Sequence, residues 1–109
     1  FVTMRAAYFV GRTSTTGFHT KPGVSLAPER LWWLHTAGAA HALGLDGVVG
    51  NLQPGCEADF VVLDPAATPL LARRTREAES LAELLFALIV LGDDRAVAQM
   101  VINGTPLSR

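Results

Sequence analysis

The most distinctive pattern in the chain is a short apolar run that follows a series of turns. Turn signals at Asp46-Gly47, Gly50-Asn51 and Pro54-Gly55 lead into the run Phe60-Val61-Val62-Leu63. Four adjacent apolar residues bounded by turn residues are typical of a strand that is covered on both faces. Two or three strands of this kind do not form a stable sheet by themselves. We therefore expect this strand to pair with polypeptide that lies outside the 109 residues.

Helical patterns precede this strand. Phe1, Met4 and Tyr8 have the spacing of one face of an amphipathic helix. Pro28 suits the first position of a helix and Gly44 suits the left-handed residue that follows one, so a single helix is predicted between them. Residues 11–23 are rich in Gly, Ser and Thr and are predicted to form a loop.

Within the second of these helices, a stripe of four residues is expected to face the core, namely Leu31, Leu34, Gly38 and Ala42. The small residues at 37–40 would allow another element to approach closely. Trp32 and Trp33 point to different sides of a helix, so at least one ring is expected to pack on a second surface.

After the strand, residues 66–76 show no clear period, and no element is predicted there. Ser80-Leu81-Ala82-Glu83 then fits a capping box, in which the serine hydroxyl and the glutamate carboxylate satisfy free N–H groups at a helix start. The helix predicted over 81–91 is apolar almost all round and ends at Gly92, so it should be sandwiched between this domain and something bulkier.

The last part of the chain predicts a hairpin. A polar turn, Asp93-Asp94-Arg95, leads into a strand over 96–102. Asn103-Gly104 follows, and this pair favours a type I′ turn because both of its positions need positive φ. Thr105-Pro106-Leu107 is then predicted to be a short edge strand, since proline is tolerated at such an edge.

Composition adds that the surface is unusually apolar. Half of the residues are hydrophobic, 17% are charged, and the mean hydropathy is +0.30. That is more apolar than a small independent domain needs, which suggests surface that another polypeptide covers. The net charge of −1 gives no basic footprint for nucleic acid. Arg73, Arg74 and Arg76 cluster, but Glu77 and Glu79 follow at once, so a solvated face of mixed charge is favoured over a phosphate site.

No pattern indicates a membrane span or a disulfide. The longest apolar run, 84–91, is far shorter than the roughly 20 residues of a membrane helix. The single Cys56 can form no intramolecular disulfide, which favours a reducing compartment such as the cytoplasm. Cys56 lies in a turn without a base nearby in sequence, so a bystander thiol is favoured over a nucleophile.

The histidines do not have the spacing of a metal site. Neither His-x-His nor His-Glu-x-x-His occurs, and His35 and His41 would lie nearly opposite each other on one helix. For these two and for His19, an ordinary surface or hydrogen-bonded histidine is favoured over a metal ligand. The paired carboxylates fit exposed turns or helix starts, namely Glu57 with Asp59, Glu77 with Glu79 and Asp93 with Asp94. The sequence therefore assigns no catalytic, cofactor-binding or metal-binding residue to this chain.

Two blocks of the sequence resemble a known family. The first resembles the C-terminal signature of the amidohydrolase superfamily, through Leu43-Gly44-Leu45, Gly50, Pro54-Gly55 and Glu57-Ala58-Asp59-Phe60-Val61-Val62-Leu63-Asp64. The second resembles, more narrowly, the guanine deaminases of that superfamily, through residues 68–74, 84–88 and Leu91-Gly92-Asp93-Asp94-Arg95-Ala96-Val97. Two departures touch no chemistry: Cys56 stands where Lys is usual, and Ala27 stands where Ser or Thr usually caps a helix.

The resemblance implies that the chain is an α/β fragment of a larger enzyme. Residues 1–45 would be the last helices of a (β/α)8 barrel, and residues 46–109 would be the C-terminal part of a small β-rich, sandwich-like domain with an inserted helix at 81–91. In such enzymes a zinc ion generates the hydroxide that attacks the purine ring, so guanine and water would give xanthine and ammonia in purine catabolism. The zinc ligands of the family precede the matched region. This chain alone is therefore expected to bind no zinc and to be inactive.

The resemblance also implies the partners. They would be the remainder of the same enzyme polypeptide, a purine substrate in the complete enzyme and a second copy in a homodimer, with no nucleic acid or membrane partner and a cytoplasmic location. Because the chain begins with Phe1 rather than Met, further residues are expected to precede it.

Three alternatives stay open at this point. The parent enzyme could be another deaminase or a chlorohydrolase of the same superfamily. The chain could instead be a non-catalytic interaction module that dimerises through the apolar segment 84–91 and the tryptophan-containing helix. A truncated paralogue that serves as a regulatory subunit is a third interpretation, without positive support in the sequence.

Overall fold

The computed structural model describes residues 1–14 and 26–107, which form five α-helices and one three-stranded sheet. In chain order the elements are α1 (Val2–Ser14), α2 (Pro28–Leu34), α3 (Ala37–Ala42), β1 (Phe60–Leu63), α4 (Pro69–Arg76), α5 (Leu81–Leu91), β2 (Val97–Ile102) and β3 (Thr105–Leu107). A 3₁₀ turn, Asp94–Ala96, joins α5 to β2. Within the described ranges, no helix is both long and apolar enough to cross a membrane.

Helix α5 is the centre of a helical layer. Helices α2 and α4 pack on it, and α1 contacts both α5 and α2. Ala87, Leu88 and Ile89 of α5 are buried, and the indole Nε1 of Trp32 donates to the carbonyl oxygen of Leu85 at 3.3 Å. Helices of this chain thus cover one part of α5, whereas Leu81 at its start is 66% exposed. That something bulkier covers the rest of the helix stays a prediction. The Trp32 contact also confirms that one tryptophan meets a second surface.

Local capping chemistry fixes the start of α5. The Ser80 hydroxyl accepts from the Glu83 N–H at 3.2 Å, and the Glu83 carboxylate accepts from the Glu79 N–H at 3.1 Å. The predicted capping box is therefore present, with its second bond shifted by one residue toward the N-terminus.

Helix α4 corrects the prediction that residues 66–76 form no element. The Thr68 hydroxyl accepts from the Leu71 N–H at 3.3 Å, and Pro69 occupies the start of the helix. This is an ordinary N-cap followed by proline. The apolar period is short because arginines fill the last turn, and Leu71 alone among the α4 residues is fully buried.

The single helix predicted between Pro28 and Gly44 is in fact two helices, α2 and α3. At the junction, Thr36 has non-helical backbone angles of φ −128° and ψ −106°. The Trp33 ring lies so close to Gly38 that a Cβ there would be 2.6 Å from it. Residues five apart in a straight helix do not face each other, so this contact requires the break.

The break and the true end of α1 change two other predictions. In the predicted core stripe, Leu31 and Gly38 are buried, but Leu34 and Ala42 are exposed. Helix α1 continues to Ser14, so the loop predicted from residue 11 begins too early. The rest of that loop, from residue 15 to residue 23, lies outside the described residues.

Two glycines shape the chain after α3. Gly44 has φ +70°, and the Leu45 N–H reaches the Ala40 carbonyl oxygen at 2.9 Å, which confirms the predicted left-handed end of the helix. Gly50 (φ +92°) lies against α3, where a Cβ would be 2.8 Å from the Ala40 Cβ. The small residues of α3 thus do permit a close approach, as predicted.

The sheet has the order β1-β2-β3, and both strand pairs are antiparallel. Strand β1 has the predicted bounds, whereas β2 begins one residue later than predicted because Ala96 belongs to the 3₁₀ turn. Asn103 and Gly104 have φ of +47° and +73°, which confirms the tight hairpin turn. The short edge strand β3 also forms as predicted.

Strand β1 is an edge strand with both faces open. Phe60, Val61 and Val62 are 38%, 49% and 43% exposed, although their pattern is typical of a fully covered strand. Among the described residues, β1 pairs with β2 alone. The strand therefore forms where the sequence predicts it, while residues 1–14 and 26–107 supply neither a second neighbouring strand nor cover for Phe60, Val61 and Val62.

Candidate functional site

The main concave feature is an open cleft between the helices α2 and α3 and the strands β1 and β2. Its volume is about 620 Å³, and its walls are largely apolar, including Trp32, Ala40, Leu45, Val61, Met100 and Ile102. The register pairs Val61 with Met100, so their side chains share one face of the sheet, and Ile102 lies two residues further along that face. The cleft is therefore a surface for apolar packing.

The polar groups at the cleft are engaged in local structure. The Asp59 carboxylate accepts from the Asn103 N–H at 2.6 Å, and the Gly104 N–H donates to the Ala58 carbonyl oxygen at 3.1 Å. Asp59 thus fastens the hairpin turn to the entry of β1. His35 Nδ1 lies 2.8 Å from the Leu31 carbonyl oxygen of its own helix. Asp59 and one ring nitrogen of His35 are thus engaged within the chain.

The histidines do not converge. His41 Nδ1 lies 3.0 Å from both Asp46 carboxylate oxygens, and the two side chains are 72% and 63% exposed. In residues 1–14 and 26–107, no three His, Cys, Asp or Glu side chains form a group that could hold a metal ion. His19 lies outside the described residues. The donor set seen here does not fit a zinc ion, so no step of a reaction can be built on these side chains.

One ion pair shapes the segment between α5 and β2. Arg95 Nη2 donates to the Asp93 carboxylate at 2.6 Å, and the Arg95 N–H donates to it at 3.0 Å. The side-chain hydrogen bond from Arg95 lowers the pKa of Asp93, and the same bond raises the pKa of Arg95. Both side chains are at the surface, so this pair shapes the 3₁₀ turn. The Asp93 carboxylate is therefore not a buried catalytic group.

Cys56 is also bound locally, since its Sγ lies 3.3 Å from the Asn51 side-chain oxygen. Asp64, a carboxylate of the first sequence block, also has a structural role: its Oδ1 accepts from the Ala66 N–H at 2.8 Å just after β1. Sequence reasoning missed the role of Asp59 because its partner lies 44 residues away. The sequence indicates the Asn103-Gly104 turn, but nothing in it indicates which carboxylate accepts from the Asn103 N–H.

Comparison with known proteins matches this architecture closely. The model of the amidohydrolase family matches residues 2–107. The guanine deaminase of Escherichia coli (strain K12) is 44% identical over 82 residues, which are 75% of this chain and 19% of that protein. The probable guanine deaminase of Deinococcus radiodurans is 42% identical over 82 residues, with the same two shares.

A solved structure of E. coli guanine deaminase superposes with a TM-score of 0.88 at 36% identity, over 98% of this chain and 23% of that one. This chain thus spans 19% of the length of the curated relatives named above. These relatives are named as guanine deaminases, hydrolases of the amidohydrolase family, and the chain corresponds to one part of them. Because the family model covers nearly all of its length, the chain belongs to the amidohydrolase family.

Proposed function

We propose that this chain is the C-terminal part of a guanine deaminase, which converts guanine and water to xanthine and ammonia. The observation that carries the proposal is the agreement of sequence and structure with one relative: 44% identity to the E. coli enzyme and a TM-score of 0.88 to its structure. The last part of the second sequence block, residues 91–97, points to the same family. It lies on the segment shaped by the Asp93–Arg95 pair.

The role of the chain in that enzyme is structural. Residues 1–45 would be the last helices of a (β/α)8 barrel, and residues 46–109 would complete a small β-rich domain that contains the inserted helix α5. The open edge of β1 and the apolar cleft support this arrangement, because both need polypeptide from elsewhere to cover them. We propose that the remainder of the same polypeptide supplies it.

The chemistry would come from the rest of the enzyme. A zinc ion bound there would supply a hydroxide at neutral pH for attack on the purine ring. In the part of this chain that the structure describes, no three His, Cys, Asp or Glu side chains are grouped for such an ion. The part proposed for this chain is to position the helices and the sheet. A homodimer, a cytoplasmic location and a place in purine catabolism belong to the same proposal and rest on the family resemblance alone.

The decisive experiment is an ammonia-release assay on the complete enzyme with guanine as the substrate. Activity that is lost with a chelator and restored with zinc would support the proposal, and the 109-residue chain assayed alone should be inactive. Turnover of other amino-heterocycles or chlorinated rings, without turnover of guanine, would assign the enzyme to a neighbouring family. A 109-residue chain that folds as a closed, soluble dimer would instead favour the interaction module.

A further inference from the structure

Arg5 of α1 joins two parts of the chain that are more than 80 residues apart. Its Nε donates to the carbonyl oxygen of Ile89 at 3.1 Å, and its Nη2 donates to that of Gly92 at 2.8 Å. The last carbonyl groups of a helix have no donors within the helix, and the helix dipole favours a cation beside them. Arg5 is half-buried here, so its two bonds to the end of α5 are partly shielded from water.

The end of α5 is shaped to receive the first turn of α1. A Cβ on Gly92 would collide with the Leu88 carbonyl oxygen and would lie 3.1 Å from the Phe1 ring, so a larger residue would push that ring away. Phe1 also packs edge-on against Trp32, with ring centroids 6.1 Å apart. Met4, on the same turn of α1, is buried in the core. The first turn of α1 is thus fixed by packing and by hydrogen bonds at once.

These contacts explain the structural role of residues 91–97, the last part of the second sequence block. This segment contains Gly92, which leaves room for the Phe1 ring and accepts a hydrogen bond from Arg5. The Asp93 carboxylate then closes the 3₁₀ turn directly behind that glycine. Residues 91–97 therefore contact the first turn of α1 and also connect α5 to β2.

We infer that Arg5 is a positioning residue for the reaction of the complete enzyme, an inference that rests on the proposed function. The active site of a (β/α)8 barrel is built by the loops that run from each strand into the following helix. If α1 is a barrel helix, its first turn is where one such loop ends. By holding that turn against the end of α5, Arg5 fixes the position of the C-terminal end of the loop.

The test uses three variants of the complete enzyme. Arg5→Met keeps an unbranched side chain and helix propensity but removes both hydrogen bonds, so kcat should fall about tenfold with KM changed less than about threefold. Arg5→Lys retains a donor that can reach these carbonyl groups and should recover at least about half of kcat. Arg12→Met makes the same change on the same helix, at a guanidinium that lies 5.2 Å from the Tyr8 ring, and should leave kcat within about twofold.

Amide hydrogen exchange provides a readout that does not depend on activity. The amides of residues 5–8, which donate to the carbonyl oxygens of the first turn of α1, should exchange about tenfold faster in Arg5→Met than in the wild type, while the α5 core amides stay protected. If Arg5→Met fails to fold, Arg5→Gln, which removes the guanidinium but keeps a polar side chain, takes its place in both the kinetic and the exchange comparisons.

Three results would overturn the inference. An unchanged kcat in Arg5→Met would show that Arg5 does not position the active site. A loss of activity that follows the loss of folded protein, without rescue by Lys, would show a role in stability alone. Unchanged exchange at residues 5–8 would show that Arg5 does not hold the first turn of α1. A wild-type enzyme that releases no ammonia from guanine would overturn the proposed function, and the exchange comparison would then decide the anchoring by Arg5 on its own.

Discussion

The helical layer and the sheet are both rich in apolar residues, but the helical layer buries many more of them. Leu31, Leu71 and Ile89 are fully buried among the helices. On the sheet, Met100 and Ile102 are 43% and 51% exposed, and Val101 is the one buried residue among the strand positions described. Among the described residues the helices pack on one another, whereas most apolar side chains of the strands stay exposed.

This difference separates what a sequence pattern says from what one chain can satisfy. A doubly apolar strand indicates an environment that covers both faces, wherever the covering atoms come from. In α5 a similar apolar pattern is partly covered by α2 and α4, which pack on it. Among the described residues, β1 has β2 as its neighbour at one edge and none at the other. Under the proposed function, this uncovered surface is buried by the rest of the enzyme.

Two adjacent leucines of α4 test most directly whether the helical layer buries its apolar residues within this chain. Leu71 is fully buried and Leu70 is 62% exposed, so the two positions offer a matched pair. Leu71→Ala should lower the free energy of unfolding by about 3 kcal/mol because it leaves a cavity in the helical layer. Leu70→Ala should change it by less than about 0.5 kcal/mol. Urea unfolding of the complete enzyme measures both. Equal losses would mean that Leu70 is covered by polypeptide outside this chain.

A second pair of variants examines how the helices meet the segment that leads to the sheet. Gly50→Ala should cost about 2 kcal/mol, because the new methyl group would meet Ala40 and the backbone has φ +92°. Gly55→Ala has a similar φ of +100° but open space around it, so it should cost about 1 kcal/mol. Thermal unfolding of both variants gives the difference. A cost for Gly55→Ala as large as that for Gly50→Ala would place a further neighbour against this turn.

A third prediction tests the sheet itself. Val61→Thr preserves the shape of the side chain but places a hydroxyl on the sheet face, which should cost the complete enzyme about 1–2 kcal/mol if that face is covered there. The same substitution at Val2, which is 78% exposed on α1, serves as the control and should cost less than about 0.5 kcal/mol. Unfolding midpoints of the two variants decide the matter. Indistinguishable midpoints would mean that the sheet face stays in solvent.

The smallest expected effects concern helix starts within the helical layer. Ser80→Ala removes the cap of α5 and should cost about 1 kcal/mol. Ala27 precedes α2 without a side-chain cap, so Ala27→Ser should stabilise the protein by roughly 0.5 kcal/mol. Calorimetry on both variants would show opposite shifts. A neutral Ser80→Ala would indicate that packing alone fixes the start of α5.

Local chemistry explains which elements the sequence could predict. The bounds of β1, the start of α5 and the turn at Asn103-Gly104 follow from residues within a few positions of each other. The junction between α2 and α3 could not be predicted in this way, because it depends on the Trp33 ring lying against Gly38. The start of α4 could have been found from Thr68-Pro69, but the arginines that follow conceal the apolar period.

The candidate site follows the same division. The sequence identifies no catalytic side chain, and that assignment stays a prediction for the complete enzyme. The cleft itself could not be foreseen, because its walls come from α2, α3, β1 and β2 and require the tertiary arrangement. The bond between Asp59 and Asn103 was equally invisible, since its two ends are distant in sequence.

The open edge of β1 has a consequence for handling this polypeptide. Unpaired N–H and C=O groups beside exposed apolar side chains are a template on which identical strands assemble. When the chain is produced without its covering polypeptide, this edge should therefore drive aggregation. Co-production with the missing polypeptide, or a charged substitution on this strand, is the way to keep it in solution.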